Sequence, residues 1–187
     1  IYAAPYLSLM DVDRAVEELE FVLREGARVI TLRPGPAFGR SPADPHFDPF
    51  WARCAEAKIF VNLHLADAGY DEHYRKWSGG EGNENGGFDR SDPLREMFDP
   101  MSRAIFDMIA ALVCHGVPDR FPDIRFVSVE NGSVWVRELV RLFKKARVAS
   151  SDISHLVIPV VASRTAQAVA KQCGIDVAAV ADNLQGS

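Results

Sequence analysis

Three side chains stand where short apolar runs end and could therefore be carried to a common place. Arg33 follows the run at 28–32, His64 follows 59–63, and Glu130 follows 124–129. An imidazole binds a divalent metal through a neutral ring nitrogen. A carboxylate can serve as ligand or general base, and a guanidinium grips a substrate carboxylate through two parallel hydrogen bonds. Arg40, in Gly39-Arg40-Ser41-Pro42, could join Arg33 in that role. Each residue also has a plainer reading. A lone histidine is more often structural, a glutamate at a helix start is favoured by the helix dipole, and Arg33 and Arg40 could brace a loop through Asp44 or Asp48. Asp67, Tyr70, His73 and Trp77 lie in the stretch after His64, where a lid or substrate wall would sit, although each alone fits surface or packing. His115 suits a helix end before Gly116, and neither His46 nor His155 is given a role.

The elements that must position these residues alternate. Residues 3–9 read as a strand, and Asp11 as the N-cap of a helix whose apolar positions Val12, Ala15, Val16, Leu19, Val22 and Leu23 keep helical spacing up to Gly26. A strand at 28–32 runs into Arg33-Pro34-Gly35-Pro36, where prolines remove donors. A Pro/Asp/Ser-rich loop over 38–49 precedes a short helical face at Phe50, Trp51, Cys54 and Ala55, then a strand at 59–63. Periodicity disappears between 66 and 100, and Gly/Asn-rich 79–87 reads as a mobile loop. Helical spacing returns at Ile105, Met108, Ile109 and Leu112, followed by a strand at 124–129 and a helix at 134–143. Strands alternating with amphipathic helices predict parallel βαβ units. About four such units make an α/β chain with a partial TIM-type (β/α) barrel, half of an eight-unit closure.

Composition narrows the function. A chain of 187 residues, 48% apolar and 25% charged, can build a core. The net charge of -5 is spread without a Lys/Arg run, which argues against nucleic acid. No run approaches the roughly eighteen apolar residues of a membrane span, and no signal-peptide order opens the chain, so the default compartment is the cytoplasm. Cys54, Cys114 and Cys173 fit no disulfide or thiolate-zinc pattern. The aromatic residues stop at Phe143, after which a Val/Ala/Ser-rich tail carries an expected strand at 156–161 and helix at 163–173. Two units are therefore expected, 1–143 and an atypical βα segment at 144–187.

The runs Arg33-Pro34-Gly35-Pro36-Ala37, Gly39-Arg40-Ser41-Pro42 and Phe47-Asp48-Pro49-Phe50-Trp51-Ala52-Arg53-Cys54 resemble the amidohydrolase-related family, in the branch that includes aminocarboxymuconate-semialdehyde decarboxylase. Arg120-Phe121-Pro122-Asp123-Ile124-Arg125 and Val129-Glu130-Asn131-Gly132-Ser133-Val134-Trp135-Val136 extend the resemblance in order over about 140 residues. It implies a distorted TIM barrel with a divalent metal, usually zinc, that activates water for hydrolysis or assists non-oxidative decarboxylation of a small-molecule substrate. The family's ligands are a His-x-His pair on the first strand, a middle-strand histidine and a late aspartate. His64 matches the middle histidine; no His-x-His occurs in the chain, and Glu130-Asn131-Gly132 stands where many relatives carry a second histidine. The resemblance therefore implies an internal piece of a longer enzyme, with His64 as metal ligand, Glu130 as assisting carboxylate or base, and Arg33 and Arg40 for the substrate carboxylate.

The tail carries a second resemblance. Ser151-Asp152-Ile153-Ser154-His155-Leu156-Val157, with Val169-Ala170-Lys171-Gln172-Cys173-Gly174-Ile175-Asp176, is similar to the C-terminal region of type III ketoacyl synthases, which implies a fused thiolase-like fragment. Two rival functions stay open: a non-catalytic remnant that self-associates as a homo-oligomer through exposed strand edges, and an accessory to acyl-thioester metabolism.

Overall fold

The computed structural model describes residues 3–66, 68–77, 93–98 and 100–146. Helix α1 spans Val12–Arg24, and its N-cap Asp11 accepts a hydrogen bond from the Arg14 amide at 3.1 Å, satisfying one of the donors that a helix start leaves open. The chain turns at Gly26, φ +86°, a left-handed conformation that costs glycine nothing. It then enters β1, Val29–Leu32. A 3₁₀ turn at Pro45–Phe47 leads into α2, Asp48–Glu56, two residues earlier than the apolar spacing from Phe50 indicates. Strand β2 is Phe60–His64, β3 is Arg125–Val129, and α7, Val134–Ala146, closes the described chain.

The strands form one parallel sheet in the order β1-β2-β3, with Thr31 opposite Asn62, Leu32 opposite Leu63, and His64 opposite Val129. The expected first strand at 3–9 is reduced to one parallel bridge, Tyr6 beside Thr31, carried by Leu7 N to Thr31 O and Thr31 N to Pro5 O. Pro5 has no N–H to give, so the ladder cannot extend through it. The stretch 66–100, where no periodicity is visible, contains α3, Tyr70–Arg75, and α4, Pro93–Phe98; helices of six residues are too short to display a period. Helix α5, Pro100–Cys114, is followed by the single turn α6, Val117–Arg120, also absent from the sequence expectation. The loop at 79–87 and the expected tail elements at 156–161 and 163–173 lie outside the described residues.

Helices α1, α2, α5 and α7 pack on one face of the sheet. Ile30, Leu32, Val61 and Leu63 are at most 2% exposed and join Leu19 of α1, Trp51 of α2, Met108 of α5 and Leu139 of α7 in a single core. Trp51 meets Phe126 of β3 edge-on at 5.7 Å, and its Nε1 donates to Pro42 O at 2.9 Å. Because side chains alternate along a strand, Val29, Thr31, Phe60, Asn62, His64, Arg125, Val127 and Val129 share the opposite face.

Two ion pairs tie the elements together. Arg53 of α2 pairs with Glu20 of α1 and holds that carboxyl below its ordinary value. Arg120 donates to Asp48 Oδ1 at 2.9 Å, Ala43 O at 3.2 Å and His115 O at 2.7 Å, joining the loop before α2 to the turn after α5. Cys54 is buried, which pushes its thiol up to about 12 and makes it a packing residue, whereas Cys114 is exposed. No described helix is long and apolar enough to cross a membrane.

Trp51→Ala removes a fully buried indole and leaves Pro42 O without its donor. A loss of about 3–5 kcal/mol in denaturant unfolding is expected; a loss below 1 kcal/mol would mean that the α2–β3 contact does not hold the fold.

Candidate functional site

The parallel register carries the ends of β1, β2 and β3 to one side. His64 is the last residue of β2, half-buried, and Glu130 is the first after β3. Their side chains meet: His64 Nε2 lies 3.4 Å from Glu130 Oε2. The other ring nitrogen, Nδ1, lies 3.0 Å from Leu65 O. A carbonyl only accepts, so this bond requires a hydrogen on Nδ1; Nε2 faces the carboxylate, which also only accepts, so the two are complementary either with a second hydrogen on Nε2 or, in the neutral ring, with a cation between them. With side chains 38% and 66% exposed, the pair contributes little to stability.

Glu130 occupies the left-handed region at φ +61°, which costs a non-glycine residue on the order of 1 kcal/mol. Its neighbour explains why the conformation persists. Asn131 is 2% exposed, and its Nδ2 donates to Leu63 O at 2.7 Å, Val129 O at 2.9 Å and Ser128 Oγ at 3.2 Å. Two carbonyls demand a donor, so the amide can face them only with its nitrogen. This clamp joins the ends of β2 and β3 and forces the chain to double back at Glu130. Gly132, φ +64°, completes the turn, and its carbonyl accepts from Trp135 Nε1 at 3.0 Å.

Arg33 is half-buried one residue beyond β1, in the layer of His64, and its Nη2 donates to Pro36 O at 2.6 Å. Gly35 adopts φ +141°, and a Cβ there would lie 3.0 Å from Ala68 Cβ, so the loop after β1 runs directly against the loop after β2. Arg40 is paired with Asp44 at 3.1 Å and is 48% exposed, as its loop-bracing reading has it; Asp48 is taken by Arg120. Tyr70 donates to Asp107 of α5, which also binds Arg103 Nε at 2.8 Å. Burial, with the adjacent carboxylate, pushes the Tyr70 phenol up to about 12. His73 packs on Phe98 at 5.6 Å, Trp77 is 66% exposed, and Asp67 lies outside the described residues.

The structure thus brings His64 and Glu130 together and keeps Arg40 at a salt bridge. Asn131, Asn62 and Thr31 are the residues that sequence reasoning passed over. Asn62 precedes His64 by two and Thr31 precedes Arg33 by two, so strand parity was the signal that places all four on one face.

The pair fits a divalent ion by donor chemistry and by spacing. Two ligands about 2.1 Å from a tetrahedral ion lie roughly 3.4 Å apart, whereas a good hydrogen bond is shorter. A catalytic zinc takes three protein ligands and a water. Among the described residues no group of three or more His, Cys, Asp and Glu comes together, so His64 and Glu130 do not by themselves make up such a site.

Glu130→Gly relieves the left-handed strain and is expected to leave stability unchanged or raised by about 1 kcal/mol. Asn131→Ala leaves two strand-end carbonyls without their donor and is expected to cost about 2–3 kcal/mol. Thermal melts of both variants check the pair; equal destabilisation would refute the division of labour between clamp and carboxylate. In a phenolate-absorbance titration, Tyr70→Phe should remove a step near pH 12. Because the folded phenol is raised above its unfolded value of about 10, its contribution to stability is full below about pH 10 and is lost as pH rises towards 12.

A family model described as amidohydrolase matches residues 2–174, running past Phe143. Among solved structures, an amidohydrolase from Mycobacterium avium subsp. paratuberculosis K-10 is 35% identical with a TM-score of 0.77, covering 92% of this chain and 45% of that one. The 2,6-dihydroxybenzoate decarboxylase from Rhizobium is 15% identical with a TM-score of 0.62, over 92% of this chain and 57% of that one. A 2,6-dihydroxybenzoate decarboxylase complexed with 2,6-dihydroxybenzoate gives 15% and 0.63, with 92% and 56% covered. At 15% identity these two show likeness of fold. No curated protein matches the chain. The chain spans about half the length of the solved structures it matches. A family model fitting most of the sequence, over a parallel sheet that gathers an imidazole and a carboxylate at its strand ends, places this chain in the amidohydrolase family.

Proposed function

We propose that His64 and Glu130 help hold a divalent metal, zinc by donor type, at the mouth of a TIM-type barrel of which β1, β2 and β3 are part. The reaction is hydrolysis or non-oxidative decarboxylation of a small carboxylate-bearing substrate, as in the branch that the Glu130-Asn131-Gly132 turn resembles. The observation that carries this reading is His64 Nε2 facing Glu130 Oε2 at 3.4 Å while Nδ1 is engaged by Leu65 O at 3.0 Å.

When bound, the metal would polarise water or stabilise developing negative charge. The chain's own residues do the rest. The Leu65 carbonyl fixes the imidazole's orientation and tautomer, the outer-shell arrangement that metal-binding histidines use. Glu130, held by the Asn131 clamp, accepts or returns a proton at the carboxylate oxygen not turned towards His64. Arg33 grips the substrate carboxylate from the layer of His64, and Arg40 joins it by exchanging Asp44 for substrate.

Elemental analysis of the purified chain beside His64→Ala tests this. Stoichiometric zinc in the parent, lost in the variant with an unchanged far-ultraviolet spectrum, is expected. Absence of metal in both would sink the reading and leave a non-catalytic member of the family, for which concentration-dependent self-association without turnover is the mark.

A further inference from the structure

Gly132 follows Asn131, and an asparagine placed before a glycine carries the means of its own modification. Glycine has no Cβ to shield its backbone nitrogen, so that nitrogen can attack the carboxamide carbon of the residue before it. The reaction expels the carboxamide nitrogen and consumes water. In the folded chain both are withheld. Asn131 is 2% exposed, and Nδ2 is the atom that the strand-end clamp holds, through Leu63 O at 2.7 Å, Val129 O at 2.9 Å and Ser128 Oγ at 3.2 Å.

The same turn stores what favours its own opening. Glu130 is held at φ +61°, and Asn131 Oδ1 is buried with no hydrogen-bond partner. Separation of the strand ends releases Glu130 from the left-handed region and brings water to that oxygen. Both gains offset part of the cost of breaking the bonds to Nδ2. The strand ends therefore open at lower cost than the core beneath them, where Val61 and Leu63 are fully buried.

We infer that Asn131-Gly132 is a self-modification site gated by this clamp, at which separation of the ends of β2 and β3 becomes irreversible. In the opened turn the Gly132 nitrogen attacks Asn131 Cγ. The N–Cγ bond forms, the Cγ–Nδ2 bond breaks, and Nδ2 departs as ammonia with the proton that the Gly132 amide gives up. Water then opens the cyclic imide at either carbonyl, giving aspartate or isoaspartate with no change of oxidation state. Neither product rebuilds the clamp. An ionised carboxylate only accepts, and so do the Leu63 and Val129 carbonyls that it would face. Isoaspartate also routes the backbone through the side-chain carbon, which lengthens the turn. Glu130 is then no longer held beside His64, and the pair is lost whether or not a metal binds there.

The test is incubation of the full chain in buffer and in urea at one pH, followed by trypsin digestion and mass spectrometry of the peptide 126–137, in which Asn131 is the one asparagine. In urea the peptide should convert to its aspartyl and isoaspartyl forms. In buffer the conversion should be about tenfold slower or more, because the bonds to Nδ2 and the bond from Trp135 to Gly132 O must break first. Trp135→Phe, which removes that last donor, should speed conversion in buffer, with the far-ultraviolet spectrum unchanged, and leave the rate in urea as it was. Asn131→Asp, which installs one product directly, should melt below the parent. No conversion in urea would overturn the site. Equal rates in buffer and urea, or no acceleration by Trp135→Phe, would overturn the gate, and an unchanged melt of Asn131→Asp would overturn the irreversible loss.

Discussion

The parallel register of β1, β2 and β3 is the constraint from which the rest of the structure follows. Pairing Leu32 with Leu63 and His64 with Val129 brings three strand ends level, so the residues just beyond them, Arg33, Leu65 and Glu130, emerge on one side. A slip of one residue would move every side chain to the other face. It would drive Asn62 and His64 into the helix-packed core and expose Val61 and Leu63. The apolar face opposing such a slip includes Trp51 and Phe126, which makes the register a property of packing as much as of backbone hydrogen bonding.

Backbone strain is found beside the pair formed by His64 and Glu130. Glu130 sits at positive φ because Asn131, tied to the carbonyls of both adjoining strands, leaves no extended path for the chain. The backbone then delivers the carboxylate to His64 Nε2, while Leu65 O holds the opposite nitrogen. Glu130 shares positive φ with two other described non-glycine residues, Phe38 and Lys58; what sets it apart is the Asn131 clamp that holds it beside His64.

Around this centre the connecting segments are braced by charge. Arg120 gathers Asp48, Ala43 and His115, and its bond to Asp48 joins two of the stretches that carry the family resemblance. Gly35 lets the loop after β1 approach Ala68 closely, and the Tyr70–Asp107–Arg103 cluster fastens α3 to α5. These contacts give the loops at the strand ends fixed partners, which is how residues on loops acquire the positions that binding requires.

Much of the α/β alternation was legible in the residues themselves. The helix at Val12–Arg24 follows from its cap and spacing, and β2 and β3 from short apolar runs ending at His64 and Glu130. The short helices α3, α4 and α6 escaped notice because one or two turns cannot show a period, and the expected strand at 3–9 is a single bridge that Pro5 closes on its N-terminal side. Of the site, residue types and strand-end positions were visible, and parity placed Asn62 with His64. The meeting of His64 with Glu130, the capture of Arg40 by Asp44, and the clamp of Asn131 with its stranded oxygen were decided only in three dimensions. Local sequence sets backbone propensity and the alternation of faces; contacts between residues tens of positions apart depend on register and packing, which no local spacing encodes.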